Sequence, residues 1–448
     1  MRARIILLPL FILIAFGLAS AQSFNGDARK MAMGGTGYSE NIASKMIEDQ
    51  RPYTTITLPL GLIQMAQDKD RLDPRNKDIF DPVLTMEYAA NPIHYTFGRD
   101  PGGPRSRLVN NIINGDLSRD LNSYRGIELG NNLKSEGLTS PTWGKTFRFP
   151  RKPEGAFQGF YIGAGPYFSA MTDLNIDKGL TDVLASRTSV SIPNRNFFIS
   201  DRSVGQLAMA ITGGYRARFN LPGKMASRRD GIYVGVNYNY LYGFRYMDSA
   251  IDVQLSTGAD GLITVLPMTT PLTINYYESN SGRGFALDFG VGAVIDRWEF
   301  GFGANGVANR IDWHDRTLRN YRLQSLVNGA DFIDQWLPAT PSDLTEKLPV
   351  QYTGNAGYHK GAYTFIAEAA HGFQGASFRG GAEYKLGRME FRGGARYGLD
   401  RWHPSGGIGF DFCKKISLDV AAFGTTTNLE RQLRPSLALS LRINRVVN

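Results

Sequence analysis

A two-residue alternation of apolar and polar side chains is the feature that most constrains how this chain can fold, and Phe378–Gly398 shows it most clearly. In its first half, apolar residues such as Phe378 and Tyr384 alternate with charged ones such as Arg379 and Glu383. Successive side chains of a β-strand point to opposite faces. The stretch therefore predicts a ribbon with one apolar face and one charged face.

Gly387 and Arg388 separate the two halves of this stretch. They suit a two-residue hairpin turn, because glycine in the first turn position accepts a positive φ. Such a turn keeps every apolar residue on the same face and sets opposite charges across from each other. The predicted cross-strand pairs are Leu386 with Met389, Lys385 with Glu390, and Glu383 with Arg392.

The same alternation returns elsewhere, which predicts an all-β chain with a large antiparallel sheet. The alternating segments are Phe157–Ser169, Leu207–Phe219, Ile232–Tyr242, Phe285–Ala293, Trp298–Ala304, Val350–Tyr358, Tyr363–Ala369, Ile408–Phe412, Ile416–Ala422 and Leu437–Ile443. Before them, Thr54–Met65 is a further candidate strand, in which Pro59 limits pairing.

Connections between these segments alternate in length. The tight turns are Asp296-Arg297, His359-Lys360, Gly387-Arg388 and Cys413–Lys415. The longer loops are Met171–Asp201, Met247–Gly282, His314–Lys347, His371–Ala376, Leu399–Ser405 and Thr425–Arg434. Short turns at one rim and long loops at the other are typical of outer-membrane barrels.

A soluble β-sandwich could use the same strands with the apolar face inward, so the alternation alone leaves both architectures open. The N-terminus favours the barrel. Arg2 and Arg4 precede the apolar run Ile5–Leu18, and Ala19–Ala21 resembles a cleavage site, so residues 1–21 are predicted to be a signal peptide. No later run approaches the ~18 apolar residues of a membrane helix. We therefore expect export to the outer membrane.

Strand length also favours a membrane-spanning barrel. The segment from Trp298 to Trp313 would rise roughly 38 Å at ~3.3 Å per residue and a tilt of ~40°, enough to cross a ~25 Å apolar band. The two tryptophans differ in parity, so Trp313 would share the apolar face with Trp298 only if a bulge intervenes.

Composition argues against several other classes of protein. The single cysteine, Cys413, cannot form an internal disulfide. The formal net charge is +9, but lysines and arginines are scattered among carboxylates without a long basic run, so we expect no nucleic-acid partner. A basic surface beside anionic lipid headgroups explains the charge more simply.

Several motifs resemble the FadL-like outer-membrane proteins, in the broad sense that includes TraF-like and PorV-like barrels. Ala28–Ser39, ARKMAMGGTGYS, is similar to the opening of their mature chains. Ser281–Gly290, SGRGFALDFG, resembles a strand motif of the family, and the closing hairpins match in style. The chain departs from the family at Arg51–Tyr53, where an Asn-Pro-Ala-Gly element is usual.

This resemblance implies a closed antiparallel transmembrane β-barrel of about fourteen strands with a plug folded into its lumen. The implied divisions are a signal peptide at residues 1–21, an N-terminal plug at 22–53 and the barrel at 54–448. The implied function is binding or passing hydrophobic or amphiphilic small molecules. The alternative is a structural or accessory barrel of a secretion or surface system that transports nothing.

Charged residues on the non-apolar face are candidates to line the lumen. They are Arg216, Arg218, Asp288, Glu299, Glu368, Arg379, Glu383, Arg392, Arg396, Asp411, Asp419 and Arg442. They could form a polar conduit that orients an amphiphilic cargo, or a structural network of ion pairs between plug and wall. Their mixed signs argue against a pore selective for one charge.

Three further patterns suggest other chemistry. Asp173–Asp177 has the D-x-N-x-D spacing of a calcium loop, but Lys178 stands where an EF-hand needs glycine. His314 lies between Asp312 and Asp315 and could activate water, which raises an outer-membrane hydrolase as a third hypothesis. Leu323–Ala330 has apolar residues at helical spacing and predicts a short helix.

Taken together, these patterns predict a protein that is not an enzyme, with no catalytic residue, metal site or cofactor. The expected partners are membrane lipid and lipopolysaccharide, with a hydrophobic small-molecule cargo or a protein partner as further candidates.

Overall fold

The computed structural model describes most of the chain after residue 26. The described residues are 27–36, 41–48, 53–73, 84, 94–98, 126–139, 143–149, 156–186, 192–221, 229–261, 263–264, 272–325, 331–337, 343–347, 349–373, 375–398, 400–412, 415–425 and 433–444. The predicted signal peptide at residues 1–21 lies outside them.

The described residues form one sheet and five short helices, which confirms the all-β antiparallel prediction. The strands are β1 (Tyr53–Leu58), β2 (Tyr95–Thr96), β3 (Asn132–Thr139), β4 (Trp143–Arg148), β5 (Phe157–Ile176), β6 (Asn196–Phe219), β7 (Gly231–Thr257), β8 (Ile263–Thr264), β9 (Leu272–Ser279), β10 (Ser281–Ile295), β11 (Trp298–Asn305), β12 (Asn309–His314), β13 (Thr317–Ser325), β14 (Asp331–Leu337), β15 (Leu344–Glu346), β16 (Gln351–Lys360), β17 (Tyr363–Gly372), β18 (Gly375–Leu386), β19 (Met389–Gly398), β20 (Arg401–Asp411), β21 (Ile416–Thr425) and β22 (Arg434–Asn444). The helices are α1 (Ala28–Ala32), α2 (Ile42–Glu48), α3 (Leu60–Gln67), α4 (Lys69–Leu72) and α5 (Lys178–Ala185).

Pairing follows chain order through most of the sheet and is antiparallel throughout. From β1, the ladder passes through β22, β21, β20, β19, β18, β17, β16, β11, β10, β7 and β6 to β5. Strand β2 continues β1 along β22, while β3 and β4 both lie along β5. Most neighbours in this ladder are therefore consecutive strands, as expected for hairpin connections, and the exceptions are β7 with β10, β11 with β16 and β1 with β22.

The β18–β19 hairpin has the predicted register. Leu386 lies opposite Met389, Glu383 opposite Arg392, and Lys385 opposite Glu390. Gly387 has a φ of 61°, which only glycine adopts readily, so the turn depends on this residue.

Burial of the two sheet faces is the reverse of that in a water-soluble sandwich. On β18 and β19, Phe378 is 51% exposed and Phe391 is 39% exposed, whereas Glu383 and Arg392 are 7% and 6% exposed. We call these sides the apolar face and the charged face. Large exposed apolar side chains recur on strand after strand, so the apolar face extends over most of the sheet.

Helices α1 and α2 pack on the charged face. Helix α1 contacts β19 to β22, and α2 contacts β7, β10 and β11. A Cβ atom at Gly394 would come within 2.5 Å of the Met33 backbone, and one at Gly290 within 2.7 Å of the Ala43 nitrogen. Because these glycines have no side chain, the N-terminal segment lies directly on the strand backbone of the charged face.

One predicted strand end and one predicted turn are wrong by a few residues. The candidate strand Thr54–Met65 ends at Leu58, and α3 begins just after Pro59, because proline cannot donate a ladder hydrogen bond. The turn assigned to His359-Lys360 falls instead at Gly361 and Ala362, where Gly361 supplies a φ of 57°. The turn at Asp296 and Arg297 is confirmed, whereas Cys413 lies outside the described residues.

Three of the predicted long loops contain regular structure, and one of them, His314–Lys347, contains β13, β14 and β15. Strand β5 runs on to Ile176 and is followed by α5, and β7 continues to Thr257. We use the term extension for the part of β5 after Ser169, of β6 before Gln206 and of β7 after Tyr246, together with β9, β13, β14 and α5. Its strands were missed because polar side chains are buried on them: the hydroxyls of Thr172 and Ser203 lie 3.0 Å apart and satisfy each other.

The helix predicted at Leu323–Ala330 is wrong in its described part. Leu323 belongs to β13 and lies opposite Phe332 of β14 in an antiparallel ladder. Residues 326–330 lie outside the described residues. Helical spacing over one turn is weak information, and cross-strand pairing outweighs it here.

Trp313 lies on the charged face. Strands β11 and β12 both pair with β10 and are separated by Gly306–Ala308, where Gly306 has a φ of 70°. Even-numbered and odd-numbered residues keep the same faces across this interruption, so Trp298 and Trp313 lie on opposite faces. Trp298 is 46% exposed, whereas Trp313 is fully buried. No helix within the described ranges is both long and apolar enough to cross a membrane.

The contact between Gly394 and the N-terminal segment can be tested against its neighbour. Gly394→Val should destabilise the fold by ~1–3 kcal/mol, because the new side chain overlaps the backbone at Met33. It should also expose the bonds after Arg29 and Lys30 to trypsin. Both effects are measurable by urea unfolding and limited proteolysis.

Gly393→Val is the matched control, since a Cβ atom there meets nothing within 4 Å. It should change stability by no more than ~0.5 kcal/mol. Equal effects at the two positions would contradict the described packing.

Candidate functional site

A buried group of ionised side chains lies on the charged face beneath α1. We call it the charged cluster. It consists of Glu383, Lys385, Glu390, Arg392, Asp411, Asp419 and Arg442, with Arg29 added from α1. Its wall residues come from β18 to β22 at alternate positions, so the two-residue period of each strand turns all of them toward the same side.

Arg392 is the centre of the charged cluster and is 6% exposed. Its Nε donates to Oε2 of Glu383 at 2.6 Å, and its Nη1 donates to Oδ1 of Asp419 at 2.8 Å. Its Nη2 donates to Glu390. The fork of the guanidinium thus meets three carboxylates at once, a geometry that lysine could not reproduce.

Arg442 and Lys385 complete the wall side of the cluster. Nη2 of Arg442 donates to Glu390 at 2.6 Å and lies 3.5 Å from a carboxylate oxygen of Asp411. Nζ of Lys385 donates to Asp411 at 2.8 Å and to Glu390 at 3.2 Å. Each carboxylate is therefore shared between cations, which compensates for its removal from water.

Arg29 connects α1 to this wall. Its Nε and Nη2 donate to the two carboxylate oxygens of Glu383, each at 2.7 Å. Asp27 holds Arg29 in place by capping α1: its Oδ1 accepts from the Arg29 amide at 2.9 Å. Glu383 thus receives guanidinium donors from the N-terminal segment and from the wall together.

The other candidate residues also lie on the charged face, away from the charged cluster. Arg379 donates to Glu368 at 2.9 Å, and Glu299 accepts from Arg229 at 2.6 Å. The remaining contacts are Asp288 with Asn239 at 2.6 Å and the Gly306 amide at 2.9 Å, Arg216 with Asn237 at 2.7 Å, Arg218 with the Asp230 carbonyl at 3.0 Å, and Arg396 opposite His403 in the ladder.

An apolar cluster occupies another part of the charged face, and sequence reasoning missed it. Its buried members are Tyr167, Val204, Ala208, Ala210, Leu241, Tyr246, Ala286, Ile311 and Trp313. The Trp313 ring lies over Gly243 and Gly282, where a Cβ atom would come within 2.5 Å of it, and its Nε1 donates to Gln206 at 3.0 Å. The facing glycines were the available sequence signal, because they leave room for an indole.

Residues of the calcium and hydrolase candidates make hydrogen bonds within the fold. Asp177 caps α5, since its Oδ1 accepts from the amides of Gly179 and Leu180. His314 lies 2.9 Å from Asp343, and Asp312 accepts from Thr345 at 2.6 Å. Among the described residues, no three histidine, cysteine or acidic side chains are grouped as metal ligands would be.

Asp201 is a buried carboxyl in the extension. One of its oxygens accepts from Ser203 at 2.9 Å, and the other has no hydrogen-bond partner among the described atoms. Burial raises the pKa of Asp201 to about 7, the hydrogen bond from Ser203 opposes this rise, and the charge of Asp173 adds to it. The protonated form is therefore favoured in the folded extension.

Comparisons with solved structures found similar chains at low identity. No family model and no curated protein sequence matches this chain. The Ralstonia pickettii toluene transporter TbuX is 13% identical over 77% of this chain and 98% of its own, with a TM-score of 0.31. A deltaS2S3 mutant of TodX, a monoaromatic hydrocarbon channel, is 12% identical over 70% and 88%, with a TM-score of 0.32.

A mutant porin from Rh. blastica is 8% identical over 63% of this chain and 99% of its own, with a TM-score of 0.22. All three TM-scores lie below 0.5, so these likenesses define neither the family nor the substrate of this chain.

The contact between Arg29 and Glu383 can be measured by a double-mutant cycle. Glu383→Gln alone should cost ~3–5 kcal/mol of unfolding free energy, because two buried guanidiniums lose their carboxylate. Combined with Arg29→Met, the double variant should cost less than the sum of the single variants by ~1.5–3 kcal/mol. Urea unfolding of the purified protein in one detergent gives all four values.

Lys178 and Asp182 are the matched control pair, since their side chains lie 2.8 Å apart but are 75% and 63% exposed. Their coupling should stay below ~0.5 kcal/mol. A coupling as small for Arg29 and Glu383 would show that α1 is not held by this ion pair.

Asp201 gives a pH dependence of defined sign. Because its pKa is raised in the folded state, its favourable contribution is complete below the ordinary aspartate pKa of 3.8 and is lost as pH rises through about 7. Asp201→Asn should remove this loss and so raise stability at pH 8 relative to pH 5. Thermal unfolding at the two pH values measures the difference.

Asp182→Asn, at an exposed position of α5, should leave the pH dependence unchanged. If Asp201→Asn does the same, Asp201 is not a buried carboxyl.

Proposed function

We propose that this chain is an integral outer-membrane β-barrel of the FadL-like kind, which binds or passes hydrophobic or amphiphilic small molecules. One observation carries the proposal: the apolar face of the sheet is exposed and the charged face is buried. In water, that arrangement would expose a large continuous apolar surface, whereas in a bilayer the same surface meets lipid.

The apolar face has the dimensions of a membrane. From Trp402 on β20 to Phe412, the residue after its end, the exposed side chains span a rise of about 25 Å at ~3.3 Å per residue and a ~40° tilt. Aromatic groups lie near both limits, since the Trp298 and Tyr358 rings are 4.6 Å apart near the tight turns and those of Tyr397 and Trp402 are 5.3 Å apart near the other end. Such aromatic girdles are expected at both interfaces.

Closure of the sheet follows from the same placement. A strand edge in hydrocarbon would leave backbone N–H and C=O groups without partners, at a cost of several kcal/mol each. The order of paired strands supports a barrel of about fourteen strands, when β1 and β2 are counted as one strand along β22 and β3 and β4 as one strand along β5. In a closed barrel the charged face is the lumen, and the candidate residues named from the sequence line it.

The N-terminal segment would then be a luminal plug. Support comes from α1 and α2, which lie on the charged face, and from the link between Arg29 and Glu383. A hydrophobic cargo is supported by the apolar cluster around Trp313, a group of packed apolar side chains on the charged face that would have to open to admit an apolar tail. An amphiphile could place its tail there and its polar group against neighbouring charges.

One observation favours the alternative of an accessory barrel that transports nothing. The carboxylates and guanidiniums of the charged cluster are paired with one another, which favours a wall that holds its plug permanently. A protein partner that stays bound after extraction in mild detergent would support this alternative.

Uptake of a lipophilic fluorescent probe tests the proposed function. Cells that carry the protein in their outer membrane should take up the probe several-fold faster than cells without it, and Trp313→Asn should reduce the gain, because a buried amide weakens apolar binding. A hydrophilic probe of similar size is the control and should show no gain.

Equal uptake of the lipophile with and without the protein would overturn the transport function. Resistance of the folded form to unheated detergent during electrophoresis, measured on the same samples, reports separately whether the barrel has formed.

A further inference from the structure

We propose that Arg283, Arg310 and Lys347 form a binding site for the phosphate groups of lipopolysaccharide, the anionic glycolipid of the outer leaflet. We call these three residues the basic patch. The inference rests on the proposed location of the barrel in the outer membrane and is independent of whether a cargo passes through it.

Strand register brings the three cations together on the apolar face. Arg283 of β10 lies opposite Asp312 of β12, and Phe285 lies opposite Arg310. Glu346 of β15 lies opposite Ile311, which places Lys347 level with Arg310. The three cations therefore come from neighbouring strands, close enough for a single anionic headgroup to reach all of them.

The basic patch has more positive charge than its surroundings neutralise. Within the described residues, Arg283 and Lys347 form no ion pair, and both are exposed. Arg310 lies 3.5 Å from Asp312, which also accepts from Thr345. Asp312 is thus the one carboxylate that the ladder places beside the three cations.

The height of the basic patch matches the headgroup region. The rise from Ile295, beside the tight turn, to Arg283 is about 30 Å at ~3.3 Å per residue and a ~40° tilt, just beyond a ~25 Å apolar band. Isolated cations are costly inside hydrocarbon but favourable beside anionic headgroups. The patch lies at the rim opposite the tight turns, which is the outer-leaflet side of a barrel.

The surface below the basic patch suits acyl chains. Tyr240 lies opposite Phe285, two residues nearer the tight turns than Arg283, and is 39% exposed. The Tyr238 and Phe285 rings stack with centroids 6.0 Å apart, and the Arg310 guanidinium lies 6.0 Å from the Phe285 ring. Cations above and rings below match a ligand with phosphates above acyl chains.

Guanidinium groups favour phosphate over other anions because their planar donors meet two phosphate oxygens at once. Free phosphate would use the cations but not the aromatic surface. Both parts of the surface are used by a phosphorylated glycolipid, which is why we assign the site to lipopolysaccharide.

The test is retention of lipopolysaccharide by the full-length protein extracted from outer membranes in mild detergent, counted by native mass spectrometry. The triple variant Arg283→Gln, Arg310→Gln and Lys347→Gln should retain about tenfold less lipopolysaccharide per protein, since loss of several charge-assisted contacts weakens binding by at least that factor. The control triple variant removes cations at the tight-turn rim: Arg297→Gln, Lys360→Gln and Arg388→Gln. It should retain as much as the wild type.

Unchanged retention in the first triple variant, or an equal loss in the control, would overturn the proposal. So would displacement of the lipid by millimolar inorganic phosphate, or retention of cardiolipin in its place. If the triple variant fails to fold, Arg283→Gln alone should still lower retention, and its failure to do so would count against the site. A protein absent from outer-membrane fractions would instead contradict the proposed function.

Discussion

Desolvation of the charged face is the constraint on which the rest of the structure depends. Arg392 and Asp419 lie almost wholly out of water, and an isolated buried charge would cost several kcal/mol. The sheet avoids this cost by placing carboxylates and guanidiniums at matching heights on adjacent strands. Register therefore determines stability as well as shape, since a slip of one residue would turn Glu383 and Arg392 to the apolar side.

The N-terminal segment depends on the same face in two different ways. At α1 it is held by charge, through the two hydrogen bonds from Arg29 to Glu383. At α2 the contacts are neutral: Ser44 donates to Asn355 at 2.6 Å, and Ile42 and Ala43 pack over Gly235 and Gly290. Small residues on the strands are as necessary as the ion pairs, because side chains there would hold the helices away from the wall.

The sequence predicts those features of the sheet that depend on the two-residue period of its strands and on the placement of charged residues. The register of β18 with β19 follows from the alternation and from Gly387, and the same alternation identifies the apolar face. The extension was missed because Thr172 and Ser203 are buried through hydroxyl contacts, which leave no apolar alternation. The contact of Arg29 with Glu383 joins residues 354 positions apart, and the local pattern of a single sequence does not predict contacts between residues so far apart.

A fixed α1 and a displaced α1 make different demands on the charged cluster. If α1 left the wall, Glu383 would keep Arg392, and Arg392 would keep Asp419 and Glu390. Loss of the Arg29 contact therefore removes one partner from the cluster without leaving a wall charge unpaired. Arg29 would leave with α1 and return to water. Without Arg29 the cluster would hold four carboxylates against three cations, so departure of α1 would leave a net charge of −1 on this face, and that cost favours the attached state.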